Sequence, residues 1–456
     1  MWQRVKLAVS LFLLLGLTTG CGLMVSPVDL LKAPSVSSDR KDLKEAVQFY
    51  LPVGAKLTVV PFENGDQQSS IMEMDMDHDG NKEAAAFYKL EKNSVQQLGI
   101  LILKQKDGLW TKIDGIQDAG MDIDFVKFVD VKGDGTQQMF VGWSGGEKLN
   151  KEMYIYSLNN EKLNQISKLS YNSIAIGNLG EDSSPQLVVL NADADSGEAT
   201  AAVYGFRGGA PVLLDKKIVA KGITSIEKTV IGQGLPKKNA MFIEYKFNNS
   251  FYYTEILYLE NKKIQTVFSD MTGRGKHTFK DYRAFSEDVN GDGIIKIPIP
   301  EPSPFAKTAS TNKYLNKWYQ WEGKENLKLV FQNYSDSQIG YRFDFPDEWL
   351  DKIALDRLKN KDTEGFSVLY YVPGMEERIE LVNFRYYKTE DWQQESEKLE
   401  DKGISYVIIG RNNGMVITAS VPEKTPPLKG QSLQQYNKLK VTTKDLQEKI
   451  KLRQIK

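Results

Sequence analysis

The sequence contains few of the residues on which disulfide frameworks and acid–base active sites depend. Cys21 is the only cysteine among 456 residues, and there are two histidines, His78 and His277. A single cysteine excludes an intramolecular disulfide framework. Neither histidine stands in a recognisable frame with a nucleophilic serine or cysteine. We therefore predict no catalytic residues and no organic cofactor, and a protein that is not an enzyme.

The chain also lacks an excess of charge and a long apolar segment. Its 59 basic and 60 acidic residues give a formal net charge of −1. Such a balance predicts no nucleic-acid partner, because nucleic-acid-binding proteins concentrate basic residues. The run Leu7–Leu17 is too short to span a bilayer. Apolar residues make up 41% of the chain, which is enough for real hydrophobic cores.

The N-terminal residues have the order of a secretory signal. Arg4 and Lys6 precede the apolar run, and Thr18-Thr19-Gly20-Cys21 follows it. This ending resembles the lipobox of bacterial lipoproteins, although Thr18 departs from the usual pattern. The alternative is an ordinary signal peptide with an incidental cysteine.

The lipobox resemblance implies how the chain is attached to a membrane. It predicts a signal peptide over residues 1–20, a Cys21 that carries acyl chains such as palmitate, and a tether over residues 21–45. The protein would then be lipid-anchored on the extracytoplasmic face of the cell membrane. The lack of a disulfide pair favours a Gram-positive surface over an outer membrane.

An acidic loop is the feature that organises the rest of the chain. Asp75-Met76-Asp77-His78-Asp79-Gly80-Asn81-Lys82-Glu83 has carboxylates at positions 1, 3, 5 and 9 and glycine at position 6. Ca²⁺ prefers six to eight oxygen ligands, and glycine permits the tight turn around it. We predict a structural Ca²⁺ held by Asp75, Asp77, Asp79, Asn81 and Glu83. An ion-free Asp/Asn/Gly turn is the alternative.

Degenerate copies of this loop, which lack some of its acidic residues, recur along the chain. They begin at Asp130, Asn178, Gln233 and Asp288. Counted from Asp75, the successive intervals are 55, 48, 55 and 55 residues. A period near 50 residues is typical of an array of equivalent structural units. Asp288, Asn290 and Asp292 form a weaker candidate metal site, because Lys296 stands at position 9 in place of an acid.

The pattern D-x-D-x-D-G-x-x-E between strands resembles the calcium loop of FG-GAP and VCBS-like (integrin-type) repeats. Four short alternating segments follow in each period, which is the β-propeller pattern. We predict a mainly β chain with a five-bladed β-propeller of about 50-residue repeats over residues 46–334. Ile71–Asp75 would complete the fifth blade beside strands within Lys317–Tyr334. An open, curved stack of sheets is the alternative.

The last part of the chain resembles a different family. Gly340-Tyr341-Arg342-Phe343-Asp344-Phe345-Pro346-Asp347-Glu348-Trp349 is similar to the opening of PsbP-like domains. The resemblance implies a smaller α/β (α+β) sandwich domain over residues 335–456. Tyr341, Phe343 and Phe345 alternate as on one face of a strand. Glu390–Lys402 is predicted to be a helix, as is a segment that contains Leu446 and Ile450.

Aromatic residues provide the remaining functional indication. A group near the junction of the two predicted domains suits a protein interface or sugar stacking, or packing between domains: Trp318, Tyr319, Trp321, Tyr386, Tyr387 and Trp392. The predicted function is that of a membrane-anchored cell-surface lipoprotein, a non-catalytic binding or scaffold module for an envelope protein or glycan. The alternative is a cell-wall polymer hydrolase that uses paired carboxylates.

Overall fold

The computed structural model describes residues 38–62, 67–92, 94–145, 151–180, 184–248, 250–268, 275–305, 313–337, 339–358, 364–422 and 426–454. The predicted signal peptide and Cys21 lie outside these ranges. Within them, no helix combines the length and the apolar character that crossing a bilayer requires. Helix α1 (Ser38–Tyr50) includes the last residues of the segment predicted to be a tether.

The described chain is mainly β. The strands of the first part are β1 Lys56–Leu57, β2 Val60–Phe62, β3 Gln67–Ser69, β4 Ile71–Met74, β5 Glu83–Lys92, β6 Val95–Lys106, β7 Leu109–Ala119, β8 Asp122–Val129, β9 Gln138–Ser144, β10 Lys151–Asn159, β11 Lys162–Tyr171, β12 Ser173–Gly177, β13 Gln186–Ala192, β14 Ala199–Arg207 and β15 Ala210–Ala220.

The second part of the chain adds fourteen strands and three α-helices. They are β16 Ile223–Leu235, β17 Lys238–Phe247, β18 Phe251–Glu260, β19 Lys263–Thr266, β20 Lys296–Pro302, β21 Tyr314–Trp321, β22 Leu327–Asp336, β23 Tyr341–Asp344, β24 Ile353–Arg357, β25 Glu364–Tyr370, β26 Ile379–Lys388, α2 Trp392–Asp401, β27 Val407–Asn412, β28 Met415–Ser420, α3 Gly430–Leu439, α4 Leu446–Lys449 and β29 Lys451–Gln454.

The strands form six sheets. Sheet 1 has the order β1-β5-β6-β7, with β4 also paired to β5, and sheet 2 has the order β11-β10-β9-β8-β2-β3. Sheets 3 and 4 are the meanders β12-β13-β14-β15 and β16-β17-β18-β19. Sheet 5 is β20-β21-β22-β23-β29, and sheet 6 is β24-β25-β26-β28-β27. In sheets 1 to 4, each acidic loop or degenerate copy of it connects the first strand of a four-stranded meander to the second. The connected pairs are β4–β5, β8–β9, β12–β13 and β16–β17.

The described chain divides into two compact units. The first extends to Val60 and also includes Ser69–Ala119 and Asn159–Leu163, and it contains sheet 1. There Leu43 and Val47 of α1 pack against the apolar strands β5 and β6. The second unit comprises Pro61–Gln68, Gly120–Leu158 and the chain from Asn164 onward.

Sheets 2 to 5 of the second unit pack face to face in chain order. One core layer joins sheets 2 and 3 through residues such as Phe140 and Leu187. The next layer, with Val203 and Ile243, joins sheets 3 and 4. Ile256 and Trp321 belong to the layer between sheets 4 and 5. The architecture shown is a stack of open sheets that are antiparallel except for the parallel pair β2–β8 in sheet 2, and a closed ring of five blades is not shown.

The strand predicted to close a ring has a different partner. β4 pairs antiparallel with β5, with Ile71 opposite Ala86 and Met74 opposite Glu83. The prediction that Ile71–Asp75 completes the fifth blade is therefore wrong. Its physical reason is local: the acidic loop joins β4 to β5 as a hairpin, and hairpin strands pair with each other.

The C-terminal part continues sheet 5 and adds sheet 6. β23 pairs with β22, with Tyr334 opposite Phe343, so sheet 5 crosses the domain boundary predicted at residue 335. The alternating Tyr341, Phe343 and Phe345 are all buried in one core with Tyr334 and residues of sheet 6, as the alternation predicts. The predicted helix Glu390–Lys402 is confirmed with shorter bounds as α2. α4 contains Leu446 and ends before Ile450, and α3 was not predicted.

The aromatic group near the predicted junction is mostly interior. Trp318, Trp321, Tyr386 and Tyr387 are buried. Trp321 lies 5.5 Å from Tyr258, between ring centroids, in the layer between sheets 4 and 5. For four of the six rings, burial rules out contact with a sugar or partner and favours the alternative that they pack inside the protein.

Glu255 is an acidic side chain in the core of sheet 4. Its Oε1 accepts hydrogen bonds from the backbone N–H groups of Phe268 (2.7 Å), Ile256 (2.8 Å) and Val267 (2.8 Å). Complete burial nevertheless raises the pKa of Glu255 to about 8, because burial disfavours the charged form more than these hydrogen bonds stabilise it.

Glu255 makes the stability of the protein depend on pH. Its carboxyl titrates near 4.5 when the chain unfolds and near 8 when it is folded, so between these values only the folded state holds the proton. The free energy of unfolding should therefore fall as pH rises through this window, by at most about 1.4 kcal/mol per pH unit. Denaturation of Glu255→Gln at pH 5 and pH 8 should show a smaller fall than the wild type. The exposed Glu260→Gln on the same strand is the control, and an unchanged pH dependence in Glu255→Gln would contradict this assignment.

Candidate functional site

Three acidic loops are built on the same hydrogen bonds. The aspartate at position 1 accepts backbone N–H groups from positions 3 to 6 of its own loop. Asp75 binds the N–H groups of Asp79 (3.1 Å) and Gly80 (2.9 Å); Asp130 binds those of Lys132 (3.1 Å), Gly133 (2.7 Å) and Gly135 (2.9 Å); Asp288 binds those of Gly291 (2.9 Å), Asp292 (3.1 Å) and Gly293 (2.8 Å). These hydrogen bonds give the aspartate a structural role in each loop.

Left-handed backbone conformations at positions 4 and 6 complete the turn. Position 6 is glycine in all three loops, with φ of 87° at Gly80, 90° at Gly135 and 83° at Gly293. At position 4 the loops at Asp130 and Asp288 have glycine, whereas the first loop has His78 with φ of 58°. Non-glycine residues are uncommon there. His78 thus takes a backbone conformation that glycine usually supplies.

Positions 2 and 9 attach the loop to the sheet. Position 2 is a buried apolar residue in each case: Met76, Val131, Leu179 and Val289. In the first loop Glu83 Oε2 accepts the N–H of Met76 (2.7 Å), and in the third Gln186 Oε1 accepts the N–H of Leu179 (2.6 Å). In these two loops an acceptor at position 9 therefore holds position 2, whether it is charged or not.

The first loop brings most of its predicted ligands together. One carboxylate oxygen each from Asp75, Asp77 and Glu83 lies within 4.8 Å of the others, which is close enough to share a cation. Asn81 instead donates its side-chain amide to Asp79 Oδ1 (3.2 Å). The donor set therefore suits Ca²⁺ in charge and in atom type.

A lysine that the sequence analysis did not identify occupies this cluster. The Nζ of Lys104 lies 2.8 Å from carboxylate oxygens of Asp77, Asp79 and Glu83. Lys104 is 3% exposed. It is carried by β6, directly opposite Glu83 in the β5–β6 pairing. Only the register of the β5–β6 hairpin places Lys104 beside the loop, and the sequence of the loop does not show that register.

The ammonium changes the electrostatics of the loop. The hydrogen bond from Lys104 is the largest cause that lowers the pKa of Asp79 to about 2. Burial would lower the pKa of Lys104, but its hydrogen bonds to the three carboxylates outweigh this and raise it. Burial raises the pKa of Glu83 against the hydrogen bond from Lys104.

The weaker candidate loop is arranged around a lysine of its own. The Nζ of Lys296 lies 2.5 Å from Asn290 Oδ1 and 2.9 Å from the carbonyl oxygen of Ile294, and it also contacts Asp292. Asp288 lies 3.6 Å from the same nitrogen. Lys296 is completely buried. The residues of this loop do not fit a divalent cation, because they include only two carboxylates and both already face the ammonium of Lys296.

A cleft of about 420 Å³ lies between the first strands of sheets 2, 3 and 4. Its polar lining includes Asp124 and Lys127 of β8, Asn178 after β12, Thr229 of β16 and Asn239 of β17. Tyr171 donates its hydroxyl to Asp124 Oδ1 (2.5 Å), and Lys127 donates to the carbonyl oxygen of Ile176 (3.0 Å).

Apolar groups complete the lining of this cleft. They include Phe125, Ile174, Ile176 and Ile231. Clefts of this size with a few fixed polar groups among apolar ones are typical of small-molecule sites. A second cleft of about 520 Å³ lies on sheets 3 and 4 and includes the exposed Arg207 and Lys262.

Comparison with known proteins assigns no family. No family model and no curated protein matches the chain. Among solved structures, the rhamnogalacturonan lyase YesW is 10% identical, with a TM-score of 0.32 over 68% of each chain. A Bacillus licheniformis rhamnogalacturonan lyase is 10% identical, with a TM-score of 0.31 over 66% of this chain and 64% of that one. The exotype lyase YesX is 9% identical, with a TM-score of 0.29 over 69% and 80%.

These comparisons correct one prediction. These three solved structures are enzymes, so the prediction that the protein is not an enzyme is withdrawn. TM-scores near 0.3 assign neither a reaction nor a substrate to this chain.

Asp130 provides a test of the structural role of position 1. Asp130→Ala removes the acceptor of three backbone N–H groups, and we expect it to destabilise the protein by about 1–2 kcal/mol. The measurement is chemical denaturation in the presence of a chelator, so that metal has no part in the result. Lys132→Ala in the same loop removes only an exposed pair with Asp134 at 3.8 Å and should change stability by less than about 0.5 kcal/mol. Equal effects of the two substitutions would contradict the role given to Asp130.

Proposed function

We propose that the protein is a lipid-anchored component of the extracytoplasmic face that binds an envelope glycan in the cleft between sheets 2, 3 and 4. The observation that carries this proposal is the convergence of the first strands of three successive sheets on one cleft. Each strand contributes a polar side chain: Asp124, Asn178 beside β12, and Thr229. Repeated units thus build a site that no single unit contains.

The chemistry of the cleft favours a hydroxyl-rich ligand. Amide and hydroxyl side chains both donate and accept hydrogen bonds and a carboxylate accepts them, as sugar hydroxyls require. The half-buried Phe125 offers an apolar surface for the C–H face of a sugar ring. Lys127 and Asp124 have opposite charges, so the lining does not select a strongly charged ligand.

We also propose that the repeated sheets are FG-GAP-like blades of a five-bladed propeller. Two equivalent contacts support a common repeat geometry. Leu163 donates its N–H to Asp114 Oδ2 (2.8 Å), and Ile264 donates its N–H to Asp215 Oδ2 (2.9 Å), both across 49 residues. The buried Tyr341, Phe343 and Phe345 similarly support a PsbP-like C-terminal domain.

An envelope protein is the second candidate partner. Phe49 is 80% exposed and Val53 is fully exposed at the end of α1. Exposed apolar side chains close together in sequence are suited to a protein contact. This surface belongs to the first unit, whereas the cleft belongs to the second.

The lipid anchor is tested by Cys21→Ser. This substitution removes the sulfur that would carry the acyl chains, and we expect the protein to move from the membrane fraction into the medium. Two or more acyl chains are needed for stable anchoring, so the change should be nearly complete. A variant that stays in the membrane fraction would contradict the anchor.

The glycan site is tested with soluble peptidoglycan fragments as the probe. We expect the Cys21→Ser protein to bind them, and Thr229→Val to weaken binding about tenfold through loss of one hydrogen bond of about 1.4 kcal/mol. Lys262→Ala in the second cleft is the matched control and should leave affinity unchanged. Absence of binding, or equal loss in both variants, would contradict this site, and the release of cleaved products would identify an enzyme.

A further inference from the structure

Two of the acidic loops contain a buried lysine that reaches the oxygens of the loop. The two lysines come from different places in the repeat. Lys296 stands at position 9 of its own loop, whereas Lys104 lies on β6, the strand after the one that follows its loop. Both loops nevertheless bring an ammonium to the oxygens of positions 3 and 5. The same arrangement is thus formed from two different positions in the repeat.

An ammonium and a calcium ion compete for such oxygens. Lysine has three N–H donors, and in the first loop each can face a different carboxylate, those of Asp77, Asp79 and Glu83. Ca²⁺ would lie 2.3–2.6 Å from the same oxygens. Two cations cannot share these positions, because their repulsion at such distances is large.

We propose that the ammonium of Lys104 is the resident cation of the first loop, as that of Lys296 is in the loop at Asp288, and that Ca²⁺ enters the first loop only by displacing Lys104. Each of the predicted calcium ligands Asp75, Asp77, Asp79 and Glu83 thereby has a partner within the chain for at least one carboxylate oxygen. Asp75 is held by backbone N–H groups and the other three by the ammonium.

The charge that remains distinguishes the two loops. In the first loop, four carboxylates and one ammonium leave three net negative charges. In the loop at Asp288, two carboxylates and one ammonium leave one. Removal of Lys104 should therefore create a calcium site, whereas removal of Lys296 leaves too few carboxylates for one.

Calcium titration of three proteins tests this proposal. We expect Lys104→Met to bind Ca²⁺ at least tenfold more tightly than the wild type by calorimetry, and its melting temperature to rise with Ca²⁺ much more than that of the wild type. Lys296→Met, the matched control, should gain no calcium affinity. Equal calcium affinity in the wild type and Lys104→Met, or no binding by either, would overturn the proposal.

A second measurement needs no variant that could fail to fold. In wild-type protein labelled with ¹⁵N-lysine, a buried and hydrogen-bonded ammonium gives a slowly exchanging N–H signal. We expect a signal from Lys104 in calcium-free buffer that is lost as Ca²⁺ saturates the loop, and its absence without calcium would overturn the proposal. Neither measurement involves the cleft or Cys21, so the outcome is independent of the glycan and anchor proposals.

Discussion

The rest of the fold depends on the binding of backbone N–H groups by the first aspartate of each acidic loop. A chain that leaves one strand and enters its neighbour must turn through several residues whose N–H groups have no partner in the sheet. One carboxylate satisfies two or three of them, and glycine at position 6 supplies the left-handed conformation that the turn requires. Because this connection is made inside the loop, it persists where the other acids have been lost. In sheets 1 to 4, the acidic loop or its equivalent joins the first two strands of a meander. The stacking of the meanders produces both the core layers and the cleft.

Much of the repeat could be predicted from the sequence, but its division into sheets could not. The spacing of the loops and the alternation of apolar residues identified the strands, and Ile71–Met74 was correctly placed before its loop. Its partner was wrong because alternation shows which face of a strand is buried but not which strand lies beside it. The same limit explains Lys104: 21 residues separate it from Glu83, and only the register of β5 and β6 places the two opposite each other. The cleft residues were missed for a related reason, since Asp124, Asn178 and Thr229 converge only when three sheets stack.

Buried lysines with several oxygen partners are a recurring element of this protein. Besides Lys104 and Lys296, Lys280 is fully buried and donates to Glu244 Oε2 (2.8 Å), Thr254 Oγ1 (3.0 Å) and the carbonyl oxygen of Ala284 (2.8 Å). Burial lowers the pKa of Lys280, against the attraction of Glu244. A buried charge is tolerated when each of its donors is matched. A lysine with three oxygen partners meets this condition.

The loop at Asp288 also links the stacked sheets to the C-terminal part of the chain. Arg342 of β23 donates to the carbonyl oxygen of Val289 (3.0 Å), at position 2 of the loop, and to Asp344 Oδ1 (2.8 Å). Arg453 of β29 donates to the other oxygen of Asp344 (2.8 Å). Strands β23 and β29 and the loop at Asp288 are therefore joined by one charged network across sheet 5. Since β22 and β23 are also paired, sheet 5 continues across the boundary that the sequence pattern places at residue 335.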